Sequence, residues 1–376
     1  RALEYDELPL TLPEVKEYKP AGTGESPLAT VDAWINWHDP KTGKVGKLET
    51  NTMPQWAGSC WYYLRYMDPH NPDTFCDSTK EQYWSGNKED AGAIDLYVGG
   101  AEHAVLHLLY ARFWHKVLFD HGFVSTKEPF AKLFHQGLIL GEDGRKMSKS
   151  LGNVVNPDDI VKQYGADSLR LFEMFMGPLE AAKPWSSKGV EGVNRFLNRA
   201  WRLIADEEGN LLAAVQKGYQ DSPELEFVLH STIKKVGDDI ESLSFNTAIS
   251  QMMILVNEFT ACEIRSHESL SAFIRILSPF APHIAEELWQ ILGNQESITK
   301  TQWPEFNPDK LQQSTVEIVL QVNSKIRSRA VVSTDATEDA LKEIALNDEI
   351  IKKQLEGLTI RKAIIVPGKL VNFIAN

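Results

Sequence analysis

Hydrophobic and polar positions change their spacing several times along the chain. Residues 1–50 are rich in Pro, Gly, Thr and Glu with short apolar pieces such as Ala33-Trp34-Ile35, which predicts extended segments and loops. Residues 51–67 gather Trp56, Trp61, Tyr62, Tyr63 and Tyr66, a spacing that suits a core-facing helix. Residues 94–98 read as a short buried strand. Gly99-Gly100 then opens a long helix from about 101 to 119, apolar on most faces (Val105, Leu106, Leu109, Phe113, Val117) and therefore expected to be buried. Residues 133–140 form the next strand, and 141–144 a turn. Asn156-Pro157-Asp158-Asp159 marks a helix start, with Asn as cap, Pro at the first position and acids in the first turn. Alternating strands and helices imply a parallel α/β sheet.

From about 184 to 293 the spacing is helical throughout. Candidate helices lie at 194–204, 223–243, 246–257 and 272–292, the last expected to break at Ser278-Pro279 and Ala281-Pro282. The period then shortens. Residues 316–322 alternate apolar and polar, Asn323-Ser324 can turn a hairpin, 329–332 returns, a helix covers about 338–354, and strands follow at 360–366 and 370–374. The expected order is an α/β domain over 1–180, a helical bundle over 181–305 and a small α/β domain over 312–376.

Composition narrows the class. Of 376 residues, 43% are hydrophobic and 24% charged, ordinary values for a globular protein. No apolar run approaches the roughly 18 residues of a membrane span. A net charge of −13 argues against a non-specific nucleic-acid binder, so an RNA partner must be met by local basic patches. Cys60, Cys76 and Cys262 are widely spaced and odd in number, which excludes a disulfide framework and a Cys-x-x-Cys zinc site and makes a reducing cytoplasm the default. The opening at Arg1 and Leu8-Pro9-Leu10-Thr11-Leu12-Pro13 carries no start or signal-peptide pattern, and reads as the C-terminal part of a longer protein.

Two stretches carry chemistry. Lys146-Met147-Ser148-Lys149-Ser150 lies between Gly144 and Gly152; its lysines supply point charges and its serines hydroxyls for a polyphosphate. The second is the junction Gly99-Gly100-Ala101-Glu102-His103. A helix N-terminus behind glycine offers free N–H groups, and Glu102 is placed to accept from ribose hydroxyls. His103 and His107, four apart on the expected helix, share a face. That face lines a cavity, holds two satisfied core histidines, or carries a zinc, for which a third ligand is lacking.

Letter by letter, the pentamer is the ATP loop of class I aminoacyl-tRNA synthetases, and the longer string from Gly144 to Pro157 resembles the subgroup for leucine, isoleucine, valine and methionine. Thr52-Met53-Pro54-Gln55-Trp56-Ala57-Gly58-Ser59-Cys60-Trp61-Tyr62-Tyr63-Leu64-Arg65-Tyr66, the string from Tyr97 to Phe113, and Lys19-Pro20-Ala21-Gly22-Thr23-Gly24-Glu25-Ser26-Pro27-Leu28 resemble the bacterial-type leucyl-tRNA synthetases. The resemblance covers nearly the whole chain. It implies the C-terminal half of a Rossmann-like catalytic domain with the lysine loop, then an anticodon-binding-type bundle, then a small tRNA-contacting α/β domain.

By position, the resemblance puts Trp56, Ser59, Tyr62, His103 and His107 around leucine and adenylate. It puts Gly99, Gly100, Glu102 and the loop Lys146, Met147, Ser148, Lys149 and Ser150 around ATP, with Lys146 and Lys149 catalytic. Trp56 stands where relatives have Phe. Some relatives carry Cys-x-x-Cys near His38-Asp39-Pro40-Lys41; this chain does not, so no zinc is expected. In the small domain Lys325, Arg327, Arg329, Arg361, Lys362 and Lys369 are candidate tRNA phosphate contacts.

The implied reaction joins leucine to its tRNA through leucyl-adenylate, with ATP and Mg²⁺ and in the cytoplasm. The leucine carboxylate is ionised near pH 7, so activation needs positioning and charge stabilisation, not a general base. No His-Ile-Gly-His string and no editing insertion occur. The chain is therefore expected to supply half of a site and to need the complementary half in cis or in trans. The alternatives are an isoleucyl- or valyl-type synthetase, a non-catalytic tRNA-binding subunit of a split synthetase, and a zinc hydrolase built on His103 and His107.

Overall fold

The computed structural model describes all residues except 1–2, 16, 18, 20–21, 23, 52–55, 87–91, 312–314 and 335. The string Thr52-Met53-Pro54-Gln55, parts of the segment after Lys19 (Pro20, Ala21 and Thr23) and the first residues of the small domain, 312–314, lie outside the described residues. The chain forms two compact units, residues 1–137 and 138–376.

In the first unit, loops dominate up to residue 51, as expected, around α1 (Asp32–Ile35) and the antiparallel pair β1 (Trp37–His38) and β2 (Val45–Gly46). The aromatic cluster forms two short helices, α2 (Trp56–Ser59) and α3 (Tyr62–Met67). Tyr63 and Leu64 are buried with Ala93 and Val124, while Tyr66 stays exposed. Helix α4 (Ser78–Ser85) is capped by Asp77, whose side chain accepts from Thr79 and Lys80 N–H. Strand β3 (Gly92–Gly100), helix α5 (His107–Asp120) and strand β4 (Glu128–Gln136) make a β-α-β unit with parallel strands.

This unit corrects three expectations. Strand β3 is longer than foreseen and half open, with Leu96 and Val98 exposed. Pairing with β4 continues through Gly99↔His135 and Gly100↔Gln136, so the backbone stays extended to residue 100. A single 3-10 turn over Ala101–His103 follows, and α5 starts at His107. Glu102 and His103 therefore precede the helix, and His103 and His107 do not share one of its faces. The buried side chains of α5 are His107, Ala111 and His115, whereas Leu106, Leu109 and Phe113 are exposed. A helix apolar all round buries whichever face meets its neighbours, and here that face carries the histidines.

In the second unit, β5 (Ile139–Leu140) pairs in parallel with β6 (Lys183–Pro184); the strand expected over 133–140 is interrupted at Gly137-Leu138. Helix α6 (Pro157–Tyr164) starts where foreseen, with the Asn156 side chain accepting from Asp158 N–H at 3.2 Å, and α7 (Ala166–Phe175) follows. The bundle comprises α8 (Ser187–Arg202), α9 (Pro223–Glu241), α10 (Phe245–Ala261), α11 (His267–Leu277) and α12 (Pro282–Ile291). A two-residue parallel pair, β7 (Val215–Gln216) and β8 (Arg265–Ser266), ties two of its connections. Helices α8 and α11 begin earlier than expected because Ser186 and Ser266 cap them. The break between α11 and α12 falls at the expected prolines. Leu171, Val193, Val236, Met252, Phe259, Phe273 and Leu288 belong to one core running from α7 to α12.

The C-terminal part is a four-stranded sheet of order β10-β9-β12-β11, from β9 (Thr315–Val322), β10 (Lys325–Ser333), β11 (Ile360–Val366) and β12 (Leu370–Ala375). Asn323 and Ser324, at φ of 51° and 64°, make the hairpin turn, and β9 pairs with β12 in parallel. The single helix expected over 338–354 is divided into α13 (Glu338–Asn347) and α14 (Glu349–Leu355) because Asp348 turns outward and caps the second, accepting from Ile350 and Ile351 N–H. Among the described residues no helix is long and apolar enough to cross a membrane.

Candidate functional site

In the first unit α2, α3, β3 and α5 bring aromatic rings around His107. Trp56 meets the His103 ring edge-on at 5.6 Å and the His107 ring at 6.3 Å; Tyr62 lies 6.3 Å and Tyr97 5.9 Å from His107. Tyr97 Oη is 2.7 Å from His107 Nε2 and 3.0 Å from Tyr62 Oη, and Ser59 Oγ is 3.4 Å from His107 Nδ1. The chain Tyr62–Tyr97–His107–Ser59 thus uses both ring nitrogens. Burial pushes the His107 pKa below its ordinary value, and the neighbouring His103 lowers it further, so the ring is neutral near pH 7. Burial also raises the Tyr97 phenol above its usual range. The result is a cluster of aromatic rings around a neutral imidazole.

Trp56, Ser59, Tyr62, His103 and His107 are therefore brought together. Tyr97 was missed: it was read as one letter of a strand, and its partners lie 10 and 35 residues away, which no local spacing signals. Behind the lining, fully buried His115 is 2.8 Å from Tyr63 Oη through Nδ1 and 2.9 Å from the Thr126 carbonyl through Nε2. The carbonyl can only accept, so Nε2 carries the proton and the neutral ring accepts from Tyr63. Burial lowers the His115 pKa to about 4.

Glu102 is exposed, and its carboxylate folds back over Gly100, where it would collide with a Cβ at residue 100. The expected row of free N–H groups behind Gly99-Gly100 does not form, because these residues extend the strand and the 3-10 turn is only three residues long.

In the second unit the lysine loop is braced at its base. Leu140 bridges to Lys146, Gly141 N–H donates to the Arg145 carbonyl at 2.8 Å, and Gly144 takes the left-handed φ of 73° that the turn requires. Asp143 accepts from Arg145 N–H at 3.0 Å and from Asn153 Nδ2 at 3.2 Å, and these bonds hold its carboxyl below the usual range. Asn153 Oδ1 accepts from Ser148 N–H at 2.9 Å. Ser148 caps the 3-10 turn Lys149–Leu151, its Oγ accepting from Leu151 N–H and lying 3.1 Å from Ser150 Oγ. Met147 packs on the helical core, which fixes one side of the loop. Lys146 and Lys149 stay exposed on the other, and neither pairs with a carboxylate among the described residues. Two ammonium groups and two hydroxyls thus stand together on a braced loop, a combination whose chemistry suits an anion.

The six basic residues of the small domain are not gathered into one patch. Lys325, Arg327 and Arg329 lie on edge strand β10, Arg361 and Lys362 on the opposite edge strand β11, and Lys369 in the turn before β12. Three strand spacings separate the edges, about 14 Å. Arg329 pairs with Glu317 at 2.7 Å, and Arg361 Nε donates to Asn376 Oδ1 at 2.7 Å.

A family model described as tRNA synthetases class I (I, L, M and V) matches residues 89–184, and one described as the anticodon-binding domain of tRNA ligase matches residues 224–344. The chain is similar to the Agrobacterium radiobacter K84 agnB2 LeuRS in its ternary LeuRS-tRNA-LeuAMS complex. That likeness has 28% identity and a TM-score of 0.70, and covers 99% of this chain and 48% of that one. Mycobacterium tuberculosis methionyl-tRNA synthetase, solved with methionyl-adenylate, matches at 17% identity and a TM-score of 0.48 over 64% of this chain and 50% of that one. The chain spans about half the length of these proteins.

Proposed function

Because the chain belongs to the class I tRNA synthetases, we propose that it is part of a leucine–tRNA ligase, which activates leucine with MgATP and transfers it to leucine tRNA in the cytoplasm. The observation that carries the reading is the lysine loop, whose exposed Lys146 and Lys149, paired with no carboxylate among the described residues, suit the charge that develops on a transferring phosphorus and a leaving pyrophosphate. Leucine rests on the lining around His107: Trp56, Tyr62 and Tyr97 surround a neutral ring, so an aliphatic side chain meets no buried charge. The likeness to a LeuRS complex with tRNA and LeuAMS supports the same choice.

The roles follow residue by residue. The substrate carboxylate, already ionised, attacks the α-phosphorus of ATP and releases pyrophosphate, with Lys146 and Lys149 balancing the charge and Ser148 and Ser150 donating to phosphate oxygens. Glu102 accepts from ribose hydroxyls. Mg²⁺ enters as part of MgATP: Glu142 and Asp143 beside the loop already accept from Ser187, Arg145 and Asn153. We assign residues 1–180 to the catalytic half, 181–305 to the anticodon-binding-type bundle and 312–376 to a tRNA-contacting domain. Within that domain Lys325, Arg327, Arg329, Arg361, Lys362 and Lys369 would serve as phosphate contacts on two separate edges. A complementary polypeptide with the His-Ile-Gly-His motif would supply the remaining half, and the exposed Leu96, Val98, Leu109 and Phe113 offer apolar surface for it to cover.

The test is leucine-dependent ATP–pyrophosphate exchange by the chain together with such a polypeptide. Lys149→Ala should cut exchange by about 100-fold or more while leaving the fold intact, since its ammonium is exposed. Exchange unaffected by Lys149→Ala, or driven equally by isoleucine and valine, would defeat the reading.

A further inference from the structure

A cavity of about 290 Å³ opens where α7, the connection from α9 to α10 and the turn from α11 to α12 meet. Its apolar wall is made by Met174 of α7, Ile240 near the end of α9, Phe245 at the start of α10 and Phe280 in the turn. Phe280 is buried, and its ring meets that of Phe245 edge-on at 6.1 Å. Met174, Ile240 and Phe245 pack on the bundle core, so the helices hold the wall in place. At roughly 30 Å³ per water-sized position, the space admits about ten non-hydrogen atoms. It suits a small ligand rather than a drug-sized one.

Two charged side chains of α7, Arg170 and Glu173, border the same cavity. Three residues apart, they are neighbours on one helix face, yet they form no ion pair with each other. Arg170 is exposed and reaches to the turn, where Nη2 donates to the Pro279 carbonyl at 3.2 Å. The rest of its guanidinium fork is left for another acceptor. Glu173 is half-buried, and among the described residues it neither accepts a hydrogen bond nor makes an ion pair. Burial raises its carboxyl above the ordinary range, and the nearby Arg170 opposes that shift. A carboxylate partly withdrawn from water beside apolar walls is costly until a cation meets it. Carboxylates of neighbouring α9 are matched already, Asp238 by Lys234 and Asp239 by Lys235.

We propose that this cavity is a binding site for a small zwitterion with an apolar tail, of the class of a free α-amino acid with an aliphatic side chain. Its ammonium meets Glu173, its carboxylate meets Arg170, and its tail enters between Met174, Ile240, Phe245 and Phe280. An α-amino acid carries both charges on one carbon, so two neighbours on a helix face can engage them together. The planar fork of arginine matches a carboxylate. A simple amine would leave the Arg170 fork unused, and a simple carboxylate would leave Glu173 without a cation. The site shares no residue with the lysine loop or with the rings around His107, and it does not depend on the ligase reading.

The experiment titrates the 376-residue chain, labelled at its methionine methyls, with three probes that share one tail: L-norleucine, n-pentylamine and hexanoate. The Met174 methyl reports from inside the cavity, and the fully buried Met252 serves as an internal control. L-norleucine should shift Met174 and leave Met252 in place, with a Kd of about 1 mM, while each single-charge probe binds about 10-fold more weakly. Glu173→Gln should reduce norleucine to the affinity of hexanoate, and Arg170→Gln should reduce it to that of n-pentylamine. Circular dichroism checks folding. Glu173→Gln removes no contact of the folded chain, so its outcome is decisive even if Arg170→Gln loosens the turn at Pro279. A Met174 methyl that norleucine does not move would overturn the proposal. So would equal binding of the three probes that survives Glu173→Gln, which would mark the cavity as an apolar space without charge recognition.

Discussion

Acid should weaken the first unit through His115. The ring is buried, Nε2 donates to the Thr126 carbonyl, and Nδ1 accepts from Tyr63, so a second proton has nowhere to go unless Tyr63 stops donating. Its pKa falls from an ordinary 6.5 to about 4 in the folded protein. A histidine lowered in this way stabilises the fold in full above the unfolded value, and the contribution is lost as pH falls from 6.5 through 4. At pH 5 the unfolded ring is almost wholly protonated and the folded ring about one-tenth so, a loss of about 2 kcal/mol; at pH 4 the loss reaches about 3 kcal/mol. The assay is urea unfolding at pH 7, 6 and 5, followed by aromatic fluorescence, with the imidazole titration of the folded chain read by NMR. His115→Gln should be less stable than the parent at pH 7, yet lose about 2 kcal/mol less on going to pH 5. A His115 resonance that titrates near pH 6.5 in the folded chain would refute the reasoning, as would the same acid loss in the Gln variant. The consequence reaches the candidate site, because Tyr63 stands beside Tyr62 on α3.

Two further substitutions test the second unit. Asp167 on α7 caps α12 from outside: Oδ2 accepts from Ile284 N–H at 2.7 Å, and Oδ1 from His283 N–H at 3.3 Å and His283 Nδ1–H at 2.8 Å, while Ala281 at the helix start offers no side-chain cap. Asp167→Ala should cost about 2 kcal/mol and lower the calorimetric Tm by about 4–8 °C. His283→Ala, whose side chain is 74% exposed, should cost under about 1 kcal/mol, and equal shifts for the two would count against the cap. Gly141→Ala would place a Cβ 2.8 Å from both Asn153 Nδ2 and Asp143 Oδ1, so the brace of the lysine loop must open. Trypsin should then cut at Lys146 and Lys149 several-fold faster than in the parent, and an unchanged rate would show that the brace does not restrain the loop.

The lysine loop, the start of α6, the proline break before α12 and the Asn323-Ser324 hairpin were all readable from local letters, because each depends on caps, turns or charges a few residues apart. Trp56, Ser59, Tyr62, His103 and His107 were grouped by resemblance, and the fold brings their side chains near one another. The early start assigned to α5 failed because Gly99-Gly100 looks like a turn until its pairing with β4 is known. The expected burial of its apolar side chains failed because a helix apolar all round does not say which face will be covered.

The sequence by itself determined the starts and breaks that a local cap, proline or turn marks, as at α6, α12 and the Asn323-Ser324 hairpin, and which loop carries the lysines, since those depend on neighbours within one turn. Only the tertiary structure decided that His107 and His115 face inward and that Tyr97 joins Tyr62 to His107. It also decided that Asp167 caps a helix more than a hundred residues away and that the basic residues of the small domain divide between two edges. Those facts turn on which face meets which across long stretches of chain, a choice that packing makes and that periodicity leaves open.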